Sequence, residues 1–242
     1  MWSVCKKELR QYFSSLTGYI AIIFFLILSG TILFILPDNI LDLGYATPEK
    51  FFQITPWILL VLVPAITMRS FSEEFRTGTF EILQTLPITR WQLLSGKYVA
   101  AFIIVLIALL PTVIYMISLQ ALSSTGGIDI GGTIGSYAGL VLLSAVFVAI
   151  GICCSSFTYN PVAAFIASAF LCMLVYSAFG ALSRIPALEG GADYYIEMLG
   201  IDFHYHSLSR GVADTMDIIY FFTLIGLFLI ITQRNLIKRQ GA

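Results

Sequence analysis

The stretch IGSYAGLVLLSAVFVAIGICC, Ile134 to Cys154, decides the fold class of this chain. It holds no Asp, Glu, Lys or Arg, and a helix of about 20 residues, rising roughly 1.5 Å per residue, crosses a hydrocarbon core about 30 Å thick. Such a run predicts a membrane-spanning helix. The whole chain of 242 residues is 58% hydrophobic and 11% charged, whereas soluble domains carry about 25% charged residues. The composition therefore excludes an ordinary soluble domain.

Five further uncharged apolar runs flank this one. We predict an all-α membrane protein with six transmembrane helices in a single domain over residues 1–242. The absence of ionisable side chains within the runs argues against a proton relay or an ion pathway. The last run spans only about 22 Å at the helical rise, so its ends must extend into flanking polar residues or thin the bilayer. The five runs are Gly18 to Leu36, Phe51 to Met68, Tyr98 to Leu119, Val162 to Leu182 and Ile218 to Thr232.

The basic residues are concentrated in three segments. Ten of the 13 Lys and Arg residues lie ahead of the first run, in the connection 69–97 or in the C-terminal tail, and ten of the 14 acidic residues lie elsewhere. Six spans place both termini on one side, and the positive-inside rule makes that side cytoplasmic. Within residues 1–17, apolar side chains recur largely at intervals of three and four, which predicts an amphipathic interfacial helix. A frayed polar leader is the alternative.

The connection 69–97 is long for a link between two membrane helices. Its apolar residues keep mostly helical spacing, with a break at Gly78, where glycine can turn the backbone. Thr79 is placed to cap a second short helix, Glu81 falls in its first turn, where the helix dipole favours an anion, and Pro87 ends it. We therefore predict a short amphipathic helix across the cytoplasmic face.

Three stretches of the chain carry a family resemblance. SEEFRTGTFEILQTLPIT, from Ser72 to Thr89, followed by Gly96-Lys97, resembles the signature of permease subunits of type-2 ABC exporters (the ABC-2 permease family). Residues 154–164, CSSFTYNPVAA, resemble the tight cytoplasmic turn between spans four and five of that family. Residues 199–220, ahead of the last span, are similar to the gliding-motility-associated permeases of Bacteroidetes.

The resemblance implies a function in export. The loop would contain the coupling helix, which seats in a cytoplasmic ABC ATPase, and a second permease copy or a related permease would complete the path through the bilayer of a bacterial inner membrane. No G-x-x-x-x-G-K-[ST] motif occurs in this chain, so ATP and Mg would belong to the ATPase, and this chain would hold no cofactor and not be an enzyme. We also expect it to bind no nucleic acid. The implied coupling residues are Glu73, Glu74, Gly78, Thr79, Glu81, Leu83, Leu86 and Pro87 in the loop, with Thr158, Asn160 and Pro161 in the second turn.

Simpler interpretations exist for these residues. Glu73, Glu74 and Glu81 can serve only to solvate a loop, Gly78 can be a structural turn, and Pro87 can be a helix stop. Prolines at 56, 64 and 111 are kinks that permit gating, or only kinks. An energy-independent channel or scaffold is a rival class of function.

The outer connection 183–217 offers a second rival. His204 and His206 lie near Asp202 and Asp214, a grouping that invites a zinc site and hence a metal-binding protein or membrane enzyme. No H-E-x-x-H motif or third spaced ligand supports that interpretation. We instead expect an external helical or re-entrant segment, ahead of span six, whose polar residues face water.

Overall fold

The computed structural model describes residues 1–35, 48–84, 87, 89–122, 128–183, 192–211 and 214–238. Within these ranges all regular structure is α-helical, which confirms the predicted class. The helices are α1 (Trp2–Ser14), α2 (Leu16–Phe34), α3 (Glu49–Thr67), α4 (Ser72–Thr77), α5 (Thr79–Gln84), α6 (Arg90–Leu109), α7 (Thr112–Leu122), α8 (Ile130–Phe157), α9 (Pro161–Ser183), α10 (Ala192–Glu197), α11 (Ile201–Ser209) and α12 (Thr215–Lys238).

Five helical stretches of the described chain are long and apolar enough to cross a membrane, and a sixth arises if α1 and α2 are taken as one span bent by 72°. Two of the five stretches join consecutive helices: α3 continues into α4, and α6 into α7. The predicted lengthening of the last span is confirmed, because α12 has 24 residues and reaches Lys238. The predicted N-terminal helix is present but ends at Ser14.

The uncharged run Ile134 to Cys154 lies within α8, at the centre of the bundle. Helix α8 packs against α3, α6, α9, α11 and α12, and small residues let those neighbours approach closely. A Cβ atom at Gly151 would lie 2.0 Å from Thr67 Oγ1, and one at Gly139 would lie 3.2 Å from the Tyr205 ring. The small residues on this face therefore serve packing within one subunit.

The prolines have different structural roles. Pro56 and Pro64 lie inside α3, whereas Pro111 lies in the break between α6 and α7. Because Pro56 has no backbone N–H, the carbonyl of Phe52 loses its partner within the helix. The Tyr205 hydroxyl donates to that carbonyl oxygen at 2.7 Å. Pro56 thus creates the acceptor that fixes α11 against α3.

Both ends of the described chain lie at the same end of the bundle. Helix α1 packs on the start of α6, where Gly96 meets Val4. Near the end of α12, Asn235 Nδ2 donates to the Ser156 carbonyl at 2.7 Å. We call this the basic end: it comprises α1, α4, α5, the turn between α8 and α9, and the last turns of α12. Helices α10 and α11 lie at the opposite end, which we name the outer end after the predicted orientation.

Candidate functional site

The loop between α3 and α6 contains two short helices at an angle set by one glycine. Gly78 ends α4 with φ of 71°, a left-handed conformation that favours glycine. The predicted turn at Gly78 is therefore confirmed, and α5 ends at Gln84, before Pro87. The predicted cap at Thr79 is wrong: Thr79 is the first residue of α5, and its Oγ1 turns back to lie 3.0 Å from Thr77 Oγ1.

An aromatic cluster holds the two short helices together. Phe71, Phe75 and Phe80 pack ring against ring, and the closest pair, Phe75 and Phe80, has centroids 4.8 Å apart in an edge-to-face arrangement. Phe71 is fully buried and Phe80 nearly so. Leu83 packs against the same core. The apolar side chains that repeat along this loop thus pack into the hydrophobic core of the bundle.

Ser155 attaches the loop to the central helix. Its hydroxyl accepts hydrogen bonds from the backbone N–H groups of Phe71 (3.0 Å) and Ser72 (3.1 Å) and donates to the Met68 carbonyl at 3.0 Å. The first N–H groups of a helix lack partners within it, so Ser155 satisfies the start of α4 from another element. The side chain is fully buried. Any tilt of α4 must therefore move or break its contact with α8.

The loop between α3 and α6 contacts the turn between α8 and α9, although the two motifs are far apart in the sequence. The Phe75 ring lies 5.8 Å from the ring of Tyr159, which belongs to the turn between α8 and α9. In that turn, Asn160 Oδ1 accepts from the Val162 N–H at 2.9 Å, and Thr158 Oγ1 accepts from the Asn160 N–H at 3.1 Å. Asn160 and Thr158 therefore fix the turn and start α9 next to the loop.

Lys97 lies beneath the loop as a buried cation. Its Nζ donates to Glu8 Oε1 and Glu74 Oε1, both at 2.8 Å, and to the Ser70 carbonyl at 2.7 Å. The side chain is 1% exposed. The ammonium also lies 5.1 Å from the centre of the Phe71 ring, within range of a cation–π contact. One charge from α6 thus joins α1, the connection between α3 and α4, and α4 itself.

A set of exposed side chains remains at the outside of the loop. Gly78, Thr79 and Glu81 are exposed, and Ile82 is 66% exposed. Tyr159 and Asn160 are exposed in the adjoining turn. We call these six residues the α5 surface. This surface combines the acidic Glu81 with the side chains of Ile82 and Tyr159. The loop that carries it is attached to the spanning helices through Ser155 and Lys97.

The remaining predicted site residues fall outside this surface. Glu74 lies in the Lys97 network, and Glu73, which is half-buried, lies 3.7 Å from Arg76. Leu83 and Thr158 are half-buried, as is Pro161, the first residue of α9. Pro87 is exposed, and Leu86 lies outside the described residues. The structure thus brings Glu81 and Asn160 to the exterior and Glu74 to the interior.

Several residues of this site were not predicted from the sequence. Lys97 and Glu8 lie 89 positions apart, and no local pattern connects them. Ile82 falls outside the apolar repeat of Phe80 and Leu83, and that departure was the available signal for an exposed apolar residue. Ser155 follows Gly151 at helical spacing, a pattern that indicates close helix packing and does not indicate a contact with the loop.

The outer histidines do not both face water as expected. His204 is 4% exposed; its Nδ1 lies 2.6 Å from Asp217 Oδ1, and its Nε2 lies 2.9 Å from the Met198 carbonyl oxygen. Its ring stacks on Tyr220 with centroids 4.0 Å apart. His206 is exposed, with Nε2 3.4 Å from Asp202. The expectation is wrong for His204 because Asp217 and Met198 satisfy both ring nitrogens inside the protein.

The described residues contain no group of three or more His, Cys, Asp or Glu side chains arranged to hold a metal ion. The four cysteines are free and mostly buried, in agreement with a packing role. In α1, burial raises the pKa of the Cys5 thiol, and the nearby Glu8 carboxylate raises it further. Burial also raises the pKa of Tyr12 to about 12. Both groups are neutral at physiological pH and serve as packing groups.

Fold and site together define a multi-pass helical membrane protein with a fixed polar loop and an exposed surface at one end. The sequence profile described as ABC-2 family transporter protein matches residues 2–232. Because this match covers most of the chain, the protein belongs to the ABC-2 transporter family. Curated proteins give no match. Members of this family are membrane components of transporters, are generally not catalytic themselves and normally work with an ATPase subunit.

Proposed function

We propose that this chain is the permease subunit of an ATP-driven exporter and that the α5 surface docks a separate cytoplasmic ABC ATPase. The observation that carries the proposal is the meeting of the loop and the α8–α9 turn, joined by Ser155 and by the Phe75–Tyr159 contact. A soluble motor that drives a membrane protein needs a surface that is exposed to it and rigidly joined to the spans. The α5 surface has both properties.

The contacts beneath the surface give a route for force. Ser155 connects α4 to the central helix, and Lys97 connects α4 to α6 and α1. Pressure on α5 would therefore be shared by α8, α6 and α1 instead of being absorbed by a flexible loop. In this proposal Glu74 holds the loop in place, whereas Glu81 and Ile82 contact the ATPase. Glu73, at the edge, has a smaller effect on binding.

The orientation follows from the charge distribution. We propose that the basic end faces the cytoplasm of a bacterial inner membrane, with α1 lying along the interface and a second permease, identical or related, completing the path. A cysteine at Asp129, in a background without native cysteines, should react with an impermeant thiol reagent on cells with a permeabilised outer membrane. A cysteine at Thr79 should not react. Labelling of Thr79→Cys alone contradicts this orientation.

A finer assignment rests on residues 199–220, which are similar to the gliding-motility branch. We propose that the exporter acts in gliding motility. Deletion of the gene should then abolish spreading of colonies on a surface, and re-expression should restore it. Normal spreading of the deletion strain contradicts this assignment and leaves the docking proposal standing.

A photo-crosslinking experiment tests the docking. A photoreactive amino acid placed at Ile82 in the full-length protein in its native membrane should crosslink to the ATPase. The matched control is Tyr195, an exposed residue (71%) of α10 at the outer end. Crosslinking from position 195 but not from position 82 overturns the proposal, as does equal crosslinking from both.

A further inference from the structure

A cleft of about 260 Å³ opens at the basic end, between α1 and α2 on one side and α3 and α6 on the other. Its rim is polar and includes Gln11, Arg69 and Glu73, whereas its floor is apolar and includes Ala65, Ala101 and Ile104. A second cavity, of about 280 Å³, shares the three rim residues and continues toward α4. The cleft therefore has a charged mouth and an apolar interior, and its continuation reaches Thr79 at the edge of the α5 surface.

The shape of the cleft follows from the helices around it. The chain bends by 72° between α1 and α2, so α1 follows α6 while α2 follows α3, and a wedge is left inside the corner. Alanines on α3 and α6 do not fill this wedge. Lys97, which is buried below the rim, and Ile104 both line the cleft and are separated along α6 by about 10 Å at the helical rise. The apolar interior is thus deep enough for part of an acyl chain.

The charged side chains at the rim differ in how fully their charge is already paired within the protein. Lys97 is already neutralised by Glu8 and Glu74. Arg69 is exposed, and within the described chain no carboxylate lies within ion-pairing distance of its guanidinium. Glu73 lies on the same rim, and its ion pair with Arg76 is long, at 3.7 Å. The rim therefore presents a cation with no carboxylate partner among the described residues, beside a carboxylate whose ion pair is long.

We propose that this cleft binds one zwitterionic glycerophospholipid with a primary amine in its head group, of the phosphatidylethanolamine type. The planar guanidinium of Arg69 suits the two oxygens of a phosphate, and Gln11 adds an amide donor. The ammonium group donates to Glu73. One acyl chain covers the floor at Ala65 and Ala101, where burial of apolar surface favours binding.

The same contacts set the selectivity. An anionic lipid of the phosphatidylglycerol type brings a phosphate but no cation for Glu73, so it leaves that carboxylate beside an added negative charge. Phosphatidylcholine brings a positive charge without N–H donors and cannot make the hydrogen bond to Glu73. Selectivity among head groups thus distinguishes a specific lipid site from the nonselective lipid that surrounds any membrane protein.

Native mass spectrometry of the purified full-length protein tests this proposal. The protein is equilibrated with an equimolar mixture of phosphatidylethanolamine, phosphatidylglycerol and phosphatidylcholine of identical chains, and retained lipid is counted. Wild type should retain one phosphatidylethanolamine in preference to the others. Arg69→Gln removes charged hydrogen bonds and should lower its retention at least about tenfold. Ala65→Leu, which fills the floor, should also lower it.

Two controls accompany these variants. Arg10→Gln removes an exposed charge of α1 that does not line the cleft, and Ala163→Leu adds the same bulk to an exposed site on α9; both should retain the lipid as wild type does. Equal retention of the three lipids, preference for phosphatidylglycerol or phosphatidylcholine, or unchanged retention in Arg69→Gln overturns the proposal. Because Arg69 is exposed, that variant should fold normally, which circular dichroism checks. Neither result depends on ATPase binding.

Discussion

Lys97 Nζ lies 2.8 Å from Glu74 Oε1, and this buried contact joins the start of a membrane helix to the loop that precedes it. Glu8 shares the same ammonium at the same distance. A charge with 1% exposure is tolerated only when it is paired and hydrogen-bonded. The pairing explains why α1, the loop and α6 form one unit at the basic end.

Replacing Lys97 with Met tests this unit. The change leaves Glu8 and Glu74 without their shared cation, and removal of one partner from a buried pair costs about 3–5 kcal/mol. Lys7→Met is the matched control: Lys7 also pairs with Glu74, at 3.6 Å, but its own side chain is half-exposed. Because water screens such a cation, its loss should cost only about 0–1 kcal/mol. Denaturant unfolding in detergent measures both free energies, and equal losses for the two variants contradict this role of Lys97.

Ser155→Ala tests the attachment of α4 to α8. The variant leaves the N–H groups of Phe71 and Ser72 buried without their acceptor, at a cost of about 1–3 kcal/mol. Hydrogen exchange of residues 71–77 should therefore accelerate about tenfold or more. In the control, Ser144→Ala, the lost hydroxyl bonds only to its own helix at Val141, and exchange in the loop should not change. Unchanged exchange in Ser155→Ala means that the hydroxyl does not hold the loop.

The outer histidines should differ sharply in stability. Since a carbonyl oxygen only accepts, His204 Nε2 donates to Met198, and His204 Nδ1 is in hydrogen-bonding contact with Asp217 Oδ1. His204→Ala leaves Asp217 buried without this partner, which should lower the melting temperature by about 6–20 °C. His206→Ala, at an exposed pair, should change it by less than about 4 °C. Equal shifts in melting temperature would show that the buried pair stabilises the protein no more than the exposed pair does.

Much of the fold could be predicted from the sequence, because each membrane helix is an apolar run of residues that are neighbours in the chain. The apolar runs, the short last span and the turn at Gly78 each follow from side chains close together in the chain. An interfacial helix ahead of the first span implies the bend after α1, and Pro111 was predicted to kink its span. The angle of 72° was not predicted, because it depends on how neighbouring helices pack.

The site was only partly predictable for a related reason. Glu81 and Asn160 could be found from motifs, since turn and cap chemistry is local. The interior position of Glu74 depends on Lys97, and the attachment of the loop depends on Ser155, which is more than 80 positions away from it. His204 can likewise be buried only because Asp217, from the next helix, contacts its ring. Contacts between distant segments leave no periodic pattern in one sequence.

Binding of the ATPase to the variant Ile82→Asp tests the central claim most directly. The control is Ile130→Asp, at a residue of the same type and nearly the same exposure (63%, against 66% for Ile82) at the opposite end of the bundle. Copurification of the ATPase and transport are measured at equal membrane abundance of both variants. A buried charge without a partner disfavours an interface, so Ile82→Asp should weaken ATPase binding at least about tenfold, or about 1.4 kcal/mol. Glu81→Lys should do the same, and Ile130→Asp should bind as wild type does. Wild-type ATPase binding and transport in both Ile82→Asp and Glu81→Lys would contradict the assignment of the α5 surface as the docking site.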